Sequence, residues 1–375
     1  MNGYGEMNFR GGVAKTTLNL IRGDSGIRDC TAVLNIDGGE VEGSLATCNG
    51  ASNNVSIINF LGGRYSVGTI CKTSAAAAWR RPEWSSAYVN FNGGTLRATS
   101  DIFHTNDLRR VDRATVFAGG AVIEVPANAT RKVQAPLEAP AGKGVASIPL
   151  PAAVSSGIFV GPPGVKIVGA GCGATAVTVF DRATGRVTGV RVLTPGCGYD
   201  AGAKAQFLYN DILAEVDCAL TGETPASGGL VKTGKGTLKL DVPNTFTGPV
   251  VVEEGTLDLT CADALTAESL GQVVYRGGVM TATSGVALPP VELALTVGET
   301  VAYADAVAFP EGSVVTVANL DAAVEEESPY VLATFEKGFT GSLDVATSAP
   351  DGWKIRVTPK AVKLMRCKGT VLLIR

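Results

Sequence analysis

Asn8-Phe9-Arg10-Gly11-Gly12 is a phrase that returns as Asn35-Ile36-Asp37-Gly38-Gly39, Asn59-Phe60-Leu61-Gly62-Gly63 and Asn90-Phe91-Asn92-Gly93-Gly94. A degenerate copy stands at Val116-Phe117-Ala118-Gly119-Gly120. The first glycines, at 11, 38, 62, 93 and 119, are 27, 24, 31 and 26 residues apart. A near-regular period of that length is the mark of a stacked solenoid.

Working outward from each Gly-Gly, apolar residues alternate. Two before the first Gly stand Phe9, Ile36, Phe60, Phe91 and Phe117. Two after the second stand Ala14, Val41, Tyr65, Leu96 and Val122. Four before the first Gly stand Met7, Leu34, Ile58, Val89 and Thr115. Period two is the strand signature, so each copy predicts two short strands about a tight glycine bend. Asn8, Asn35, Asn59 and Asn90 share one register position. In parallel strands such residues stack, and their amides can hydrogen-bond along the axis. The expected fold is all-β: a right-handed parallel β-helix with three short strands per turn, a small β insert and a C-terminal β-rich module.

Composition supports a packed chain. Of 375 residues, 47 are Gly and 18% are charged, while 45% are hydrophobic, which is enough to bury a core. The net charge of −3 gives no electrostatic case for nucleic acid. No run of 18 apolar residues predicts a membrane span. No signal peptide is legible, and entry into the first repeat at Met1 predicts that upstream rungs are missing. Eight cysteines without a CxxC, and one histidine, argue against a zinc site. Cys48 and Cys71 sit about one rung apart, and Cys172 and Cys197 lie in two Gly-Cys-Gly corners. Disulfides or buried apolar fillers both fit.

The chain divides into rungs at 1–133, a Pro/Ala/Gly-rich linker or loose excursion at 134–164, a β insert at 165–220, further rungs at 221–289 and a module at 290–375. The insert reads as strands at 165–168, 175–180 and 187–192, with a hairpin loop at 181–186. Its phrases Gly169 to Ala176 and Pro195 to Tyr199 resemble a glycine-rich repeat of large secreted and phage-associated proteins. In the last module, 331–335, 353–357 and 371–375 are strand-like, and its close resembles that of long repeat-rich exported bacterial proteins.

The most specific stretch runs Gly228-Gly229-Leu230-Val231-Lys232-Thr233-Gly234-Lys235-Gly236-Thr237-Leu238-Lys239-Leu240. It continues through Asn244-Thr245-Phe246-Thr247-Gly248 to Gly255-Thr256-Leu257. It resembles the autotransporter-associated β-strand repeat, also called the passenger-associated transport repeat, with Pro249 where members often carry another Gly. The resemblance implies a parallel β-helix in the exported region of a bacterial surface or secreted protein, and no activity. It implies that Gly228, Gly229, Gly234, Gly236, Gly248 and Gly255 are turn residues.

Candidate chemistry is sparse. Gly11 to Thr17 looks like a phosphate-binding loop, yet Ala14 stands where a Gly must precede the Lys. His104 with Asp101 or Asp107 lacks a nucleophile motif. Asp101, Asp107, Arg109, Arg110, Asp112 and Arg113 fit either a polysaccharide-active site or a solvated loop. Glu325-Glu326-Glu327 lacks the spacing of a calcium loop. Trp79, Arg80, Arg81 and Trp84 lie in the longest rung and read as a sugar-stacking loop or as a hydrophobic anchor. No catalytic, cofactor or metal residue is assigned. The reading is a noncatalytic, extracellular or cell-surface stalk, adhesin-like, with a host-surface or polysaccharide ligand. The alternatives are a polysaccharide lyase or hydrolase and a phage tail-spike or fibre segment.

Overall fold

The computed structural model describes residues 3–16, 18–22, 29–43, 45–49, 53–72, 85–104, 110–303, 306–323 and 327–367. The first three copies of the phrase each lie inside one long strand: Tyr4–Lys15, Thr31–Gly43 and Val55–Val67. The expected bend between two short strands is there a bulge. Pairing runs through it, with register shifts at Phe9/Arg10 and Ile36/Asp37. The second glycine carries the kink, with φ of +78° at Gly12, +73° at Gly39 and +63° at Gly63. An L side chain avoids that region, and a bulge bends a strand without ending it. Only from the fourth copy does the strand split, into Ser86–Phe91 and Thr95–Ala98, then Arg113–Val116 and Ala121–Glu124.

Neighbouring copies pair in parallel. Asn8, Asn35, Asn59 and Asn90 are successive partners, as are Phe9, Ile36, Phe60 and Phe91. Beyond the bend, Val41, Tyr65 and Leu96 follow one another. The degenerate copy departs from the sequence register. Val116, not Phe117, partners Phe91, and Ile123, not Val122, partners Leu96. The offset between these copies is 25 residues before the bend (91 to 116) and 27 after it (96 to 123). The two extra residues form a turn, closed by Gly120 N–H donating to the Phe117 carbonyl at 2.7 Å. Glycine spacing alone averages over that turn.

The chain is all-β, and the largest sheet among the described residues has 14 strands. Thr130–Val133 adds a further face, and Leu137–Glu138 returns to pair with Arg113–Val116. There the chain leaves the stack. Gly164–Val168, Thr175–Asp181, Arg186–Thr194, Lys204–Tyr209 and Asp211–Asp217 form a five-stranded antiparallel sheet. The Pro-rich stretch before it is packed in places: Val145–Ser147 pairs with Ala219–Leu220, and Val145 and Val154 are buried in the insert's own core with Phe207 and Tyr199. The chain then resumes the stack in register. Leu230, Val231, Lys232 and Thr233 pair with Ala121, Val122, Ile123 and Glu124. Thr237–Leu240 likewise pairs with Thr130–Val133.

One apolar core runs from Leu18 to Leu364. Phe60 and Phe91 stack within it at 5.1 Å between ring centroids. The large sheet continues through Val250–Val252, Val273–Tyr275, Glu292–Thr296, Val314–Ala318 and Asp344–Val345. At the far end Tyr330–Phe335, Ala361–Arg366 and Trp353–Thr358 turn antiparallel. The strand-like stretch 371–375 lies outside the described residues. No described helix is long and apolar enough to cross a membrane.

Candidate functional site

Strand alternation decides where the Asn column points. Leu34 and Ile36 are in the core, so Asn35 between them faces outward. Asn35, Asn59 and Asn90 are nonetheless buried, at 1%, 0% and 1% exposure. Their amides form one ladder. Asn90 Nδ2 donates to Asn59 Oδ1 at 2.7 Å, Asn59 to Asn35 at 2.6 Å, and Asn35 to Asn8 at 2.8 Å. The last donor, Asn8 Nδ2, meets Glu6 Oε1 at 2.7 Å, and the Tyr4 hydroxyl donates to Glu6 Oε2 at 3.0 Å.

The insert covers this ladder. Asn59 Nδ2 also donates to Thr175 Oγ1 at 2.9 Å, and Asn90 Nδ2 to the Gly173 carbonyl at 2.8 Å. Thr175 and Thr194 share a hydrogen bond of 2.7 Å, and Thr194 donates to the Gly173 carbonyl at 3.0 Å. Burial raises the Glu6 carboxyl above its ordinary value, and hydrogen bonds from Asn8 and Tyr4 oppose the shift. The ladder follows the register its spacing implies, but the cover over it was not legible in the sequence, because residues 173–194 share no period with the column.

Two cavities flank the docked edge. One, of about 450 Å³, lies between Val33 and Ile57 of the stack and Val165, Cys172 and Tyr199 of the insert. The other, of about 520 Å³, opens where the ladder ends and is lined by Glu6, Asn8, Arg10 and Tyr209.

The rungs after the insert satisfy their polar groups differently. Lys232 occupies an inward position between Ile123 and Val252 and is fully buried. Its Nζ donates to the carbonyls of Thr233, Gly234 and Glu254. Burial lowers its pKa from 10.5 to about 8, against the pull of Glu254 and Glu124. Asn244 bridges rungs, accepting from Leu137 N–H at 2.8 Å and donating to the Ala264 carbonyl at 2.7 Å. Phe246 beside it fills the core. Asp258 accepts from Thr281 and Thr283 and pairs with Lys239 at 3.2 Å. Burial opposes that charge, but these donors outweigh it and hold the carboxyl below its usual range. The repeat glycines are tightly fitted. A Cβ on Gly236 would stand 2.2 Å from the Pro126 carbonyl oxygen, and one on Gly248 2.4 Å from the Gly228 carbonyl carbon.

The other sequence candidates separate. Gly11 and Gly12 lie in the paired strand Tyr4–Lys15, not in a loop opening a helix. Asp101 accepts from Lys132 N–H at 3.0 Å, and Asp112 holds the buried Lys72 at 2.6 Å and Ala87 N–H at 2.6 Å. Arg113 pairs with Glu138 at 3.2 Å, and Arg110 is exposed. His104 is half-buried beside Phe103. Asp107, Arg109, Glu325, Glu326, Trp79, Arg80, Arg81 and Trp84 lie outside the described residues, as does the side chain of Cys48. Among the described residues no group of three or more His, Cys, Asp or Glu side chains could hold a metal ion.

Comparison with known proteins places one segment. A family model described as passenger-associated-transport-repeat matches residues 230–259. No curated protein and no solved structure matches the chain. The matched segment contains Lys232, Asn244 and Asp258, the residues that tie the rungs after the insert. The chain therefore carries, inside its own parallel stack, a passenger-associated transport repeat, a unit of autotransporter passengers, which are exported to the cell surface.

Proposed function

We propose that this protein is a noncatalytic, exported stalk: a right-handed parallel β-helix, adhesin-like, that presents a docked β insert at a bacterial surface. The observation that carries the reading is the in-register seating of Leu230–Thr233 on Ala121–Glu124. That pairing supports reading the matched repeat as a structural rung among rungs. We read 1–133 and 221–289 as one coil, interrupted by 134–164 and the 165–220 insert and ended by 290–375. Ligand contact, to a polysaccharide or host surface, is assigned to the insert and to residues 79–84. Asp101 and Asp112 support a structural role, since they are committed to backbone and lysine partners.

The test is surface display. The chain is fused between a secretion signal and an outer-membrane β-barrel in a Gram-negative host. Display of a protease-resistant chain on intact cells is the expected result; retention in the periplasm overturns the export reading. Incubation with acidic polysaccharides separately tests the noncatalytic reading. New reducing ends or unsaturated products would overturn it.

A further inference from the structure

Two corners of the insert face each other across the end of the Asn ladder. Gly171-Cys172-Gly173 leads into the strand Thr175–Asp181, and Gly196-Cys197-Gly198 follows the strand Arg186–Thr194. Cys172 and Cys197 form an isolated antiparallel pair. Each donates its N–H to the other's carbonyl at 3.0 Å. A doubly bonded antiparallel pair sets its Cα atoms roughly 5.5 Å apart, the spacing commonest in cystines. The two Sγ atoms are 3.9 Å apart.

The backbone fixes this pairing without help from the sulfurs. Gly173, Gly196 and Gly198 have φ of +75°, +62° and +73°, which side chains rarely adopt. A Cβ on Gly196 would stand 2.4 Å from Ala174 N and 2.5 Å from the Cys172 carbonyl oxygen. A side chain at Gly196 would therefore collide with the facing corner. Cys197 is buried, while Cys172 is half-buried and lines the 450 Å³ cavity. The Arg113 guanidinium acts on both sulfurs.

We propose that Cys172 and Cys197 are a reversible dithiol–disulfide pair that closes on reaction with a small-molecule disulfide and locks together the two insert corners that cover the end of the Asn ladder. The thiolate is the nucleophile in such exchange. The two sulfurs can share one proton across their 3.9 Å contact, and that hydrogen bond, with Arg113 and against burial, holds the Cys197 thiol below its ordinary range. Passing the proton along the contact exposes a Cys172 thiolate to the cavity. That thiolate attacks the incoming disulfide, forms a mixed disulfide and expels one small thiolate. Cys197 then loses its proton to solvent and attacks Cys172 Sγ, expelling the second. Two protein thiols are oxidised and one small disulfide is reduced to two thiols. The cystine joins the corner whose Gly173 carbonyl receives Asn90 Nδ2 to the corner beside Thr194. The proposal does not depend on export, because it can be tested on purified protein.

The test uses the full chain, purified with reductant, desalted and exposed to oxidised glutathione. Free thiols are then alkylated with iodoacetamide and the protein digested with trypsin without reductant. Cleavage after Arg182, Arg186 and Arg191 separates the two cysteines unless they are linked. The expected product is one cross-linked pair of peptides, two hydrogens lighter than their sum, with Cys218 alkylated. Recovery of Cys172 and Cys197 both alkylated, or either one linked to Cys218, overturns the proposal. A second readout is the rate of closure, which should fall several-fold in Arg113→Gln at pH 7. An unchanged rate in a folded variant removes Arg113 from the reaction.

Discussion

The strands before the insert and those after it pair in parallel with one another, yet they hold their buried polar groups by opposite means. Before the insert, like meets like: each Asn amide pairs with the Asn of the next rung, and the row needs a cover to become dry. After the insert, unlike meets backbone: Lys232 and Asn244 bind main-chain groups of neighbouring segments. Spacing follows. The strands at those ties are 20 and then 23 residues apart (230 to 250, 250 to 273), against 24 to 31 in the opening rungs, and the spacing widens again to 30 farther on (314 to 344). A self-pairing row tolerates loops of varied length, because only the register of one residue must be kept. Side-chain ties to particular carbonyls need a fixed path between them.

If that contrast is right, the middle of the row should be the most sensitive point. Asn59 serves Asn35, Asn90 and Thr175 with no exposed atoms. Asn59→Leu strands donors and acceptors on both neighbours, and should cost about 4 kcal/mol in denaturant unfolding. Asn8→Leu, at the exposed end, should cost under about 1 kcal/mol. Equal losses would break the comparison.

Next is Lys232→Ala, which leaves three carbonyls without their donor and an empty volume, for a loss of about 3 kcal/mol. A smaller loss in Lys232→Met than in Lys232→Ala would show how much of it is packing. Gly38→Ala comes third. Its Cβ would lie 2.6 Å from the Arg10 carbonyl oxygen, whereas nothing lies within 4 Å of a Cβ on Gly11. The expected losses in thermal unfolding are about 2 kcal/mol and near zero.

The smallest effect is a slope. The folded Lys232 pKa of about 8 lies below the ordinary 10.5, so between those values the unfolded chain binds more protons. Stability from this group therefore rises with pH across that window, by at most about 1.4 kcal/mol per pH unit. Comparing wild type with Lys232→Met at pH 8 and pH 10 isolates it. A steeper rise in the variant would contradict the burial of the lysine.

Much of the opening stack was legible because its signal is local. Alternation around Gly-Gly marks strands, and the Asn residues meet at the register their spacing implies. The sequence could not show that the first three bends are bulges, since a Gly-Gly pair serves a kink and a turn equally. Nor could it place Ile123, because two residues added in a turn shift the register without altering the motif. The cover on the ladder depends on Thr175 and Thr194, which lie 116 and 135 residues from Asn59. An outward Asn on a strand reads the same whether it meets water or another sheet. Lys232 sits at an inward position of a clear alternation, but its charge argues for the surface until its carbonyl partners are seen.

The Asn ladder has a direction. Every amide from Asn90 to Asn8 points its N–H toward Glu6. Aligned amide dipoles of this kind polarise one another, and their positive end attracts an anion as the start of a helix does. The row is thus a macrodipole made of side chains and laid across strands. Glu6 is its counter-charge, and protonating that one carboxylate would weaken the electrostatic closure of the whole line.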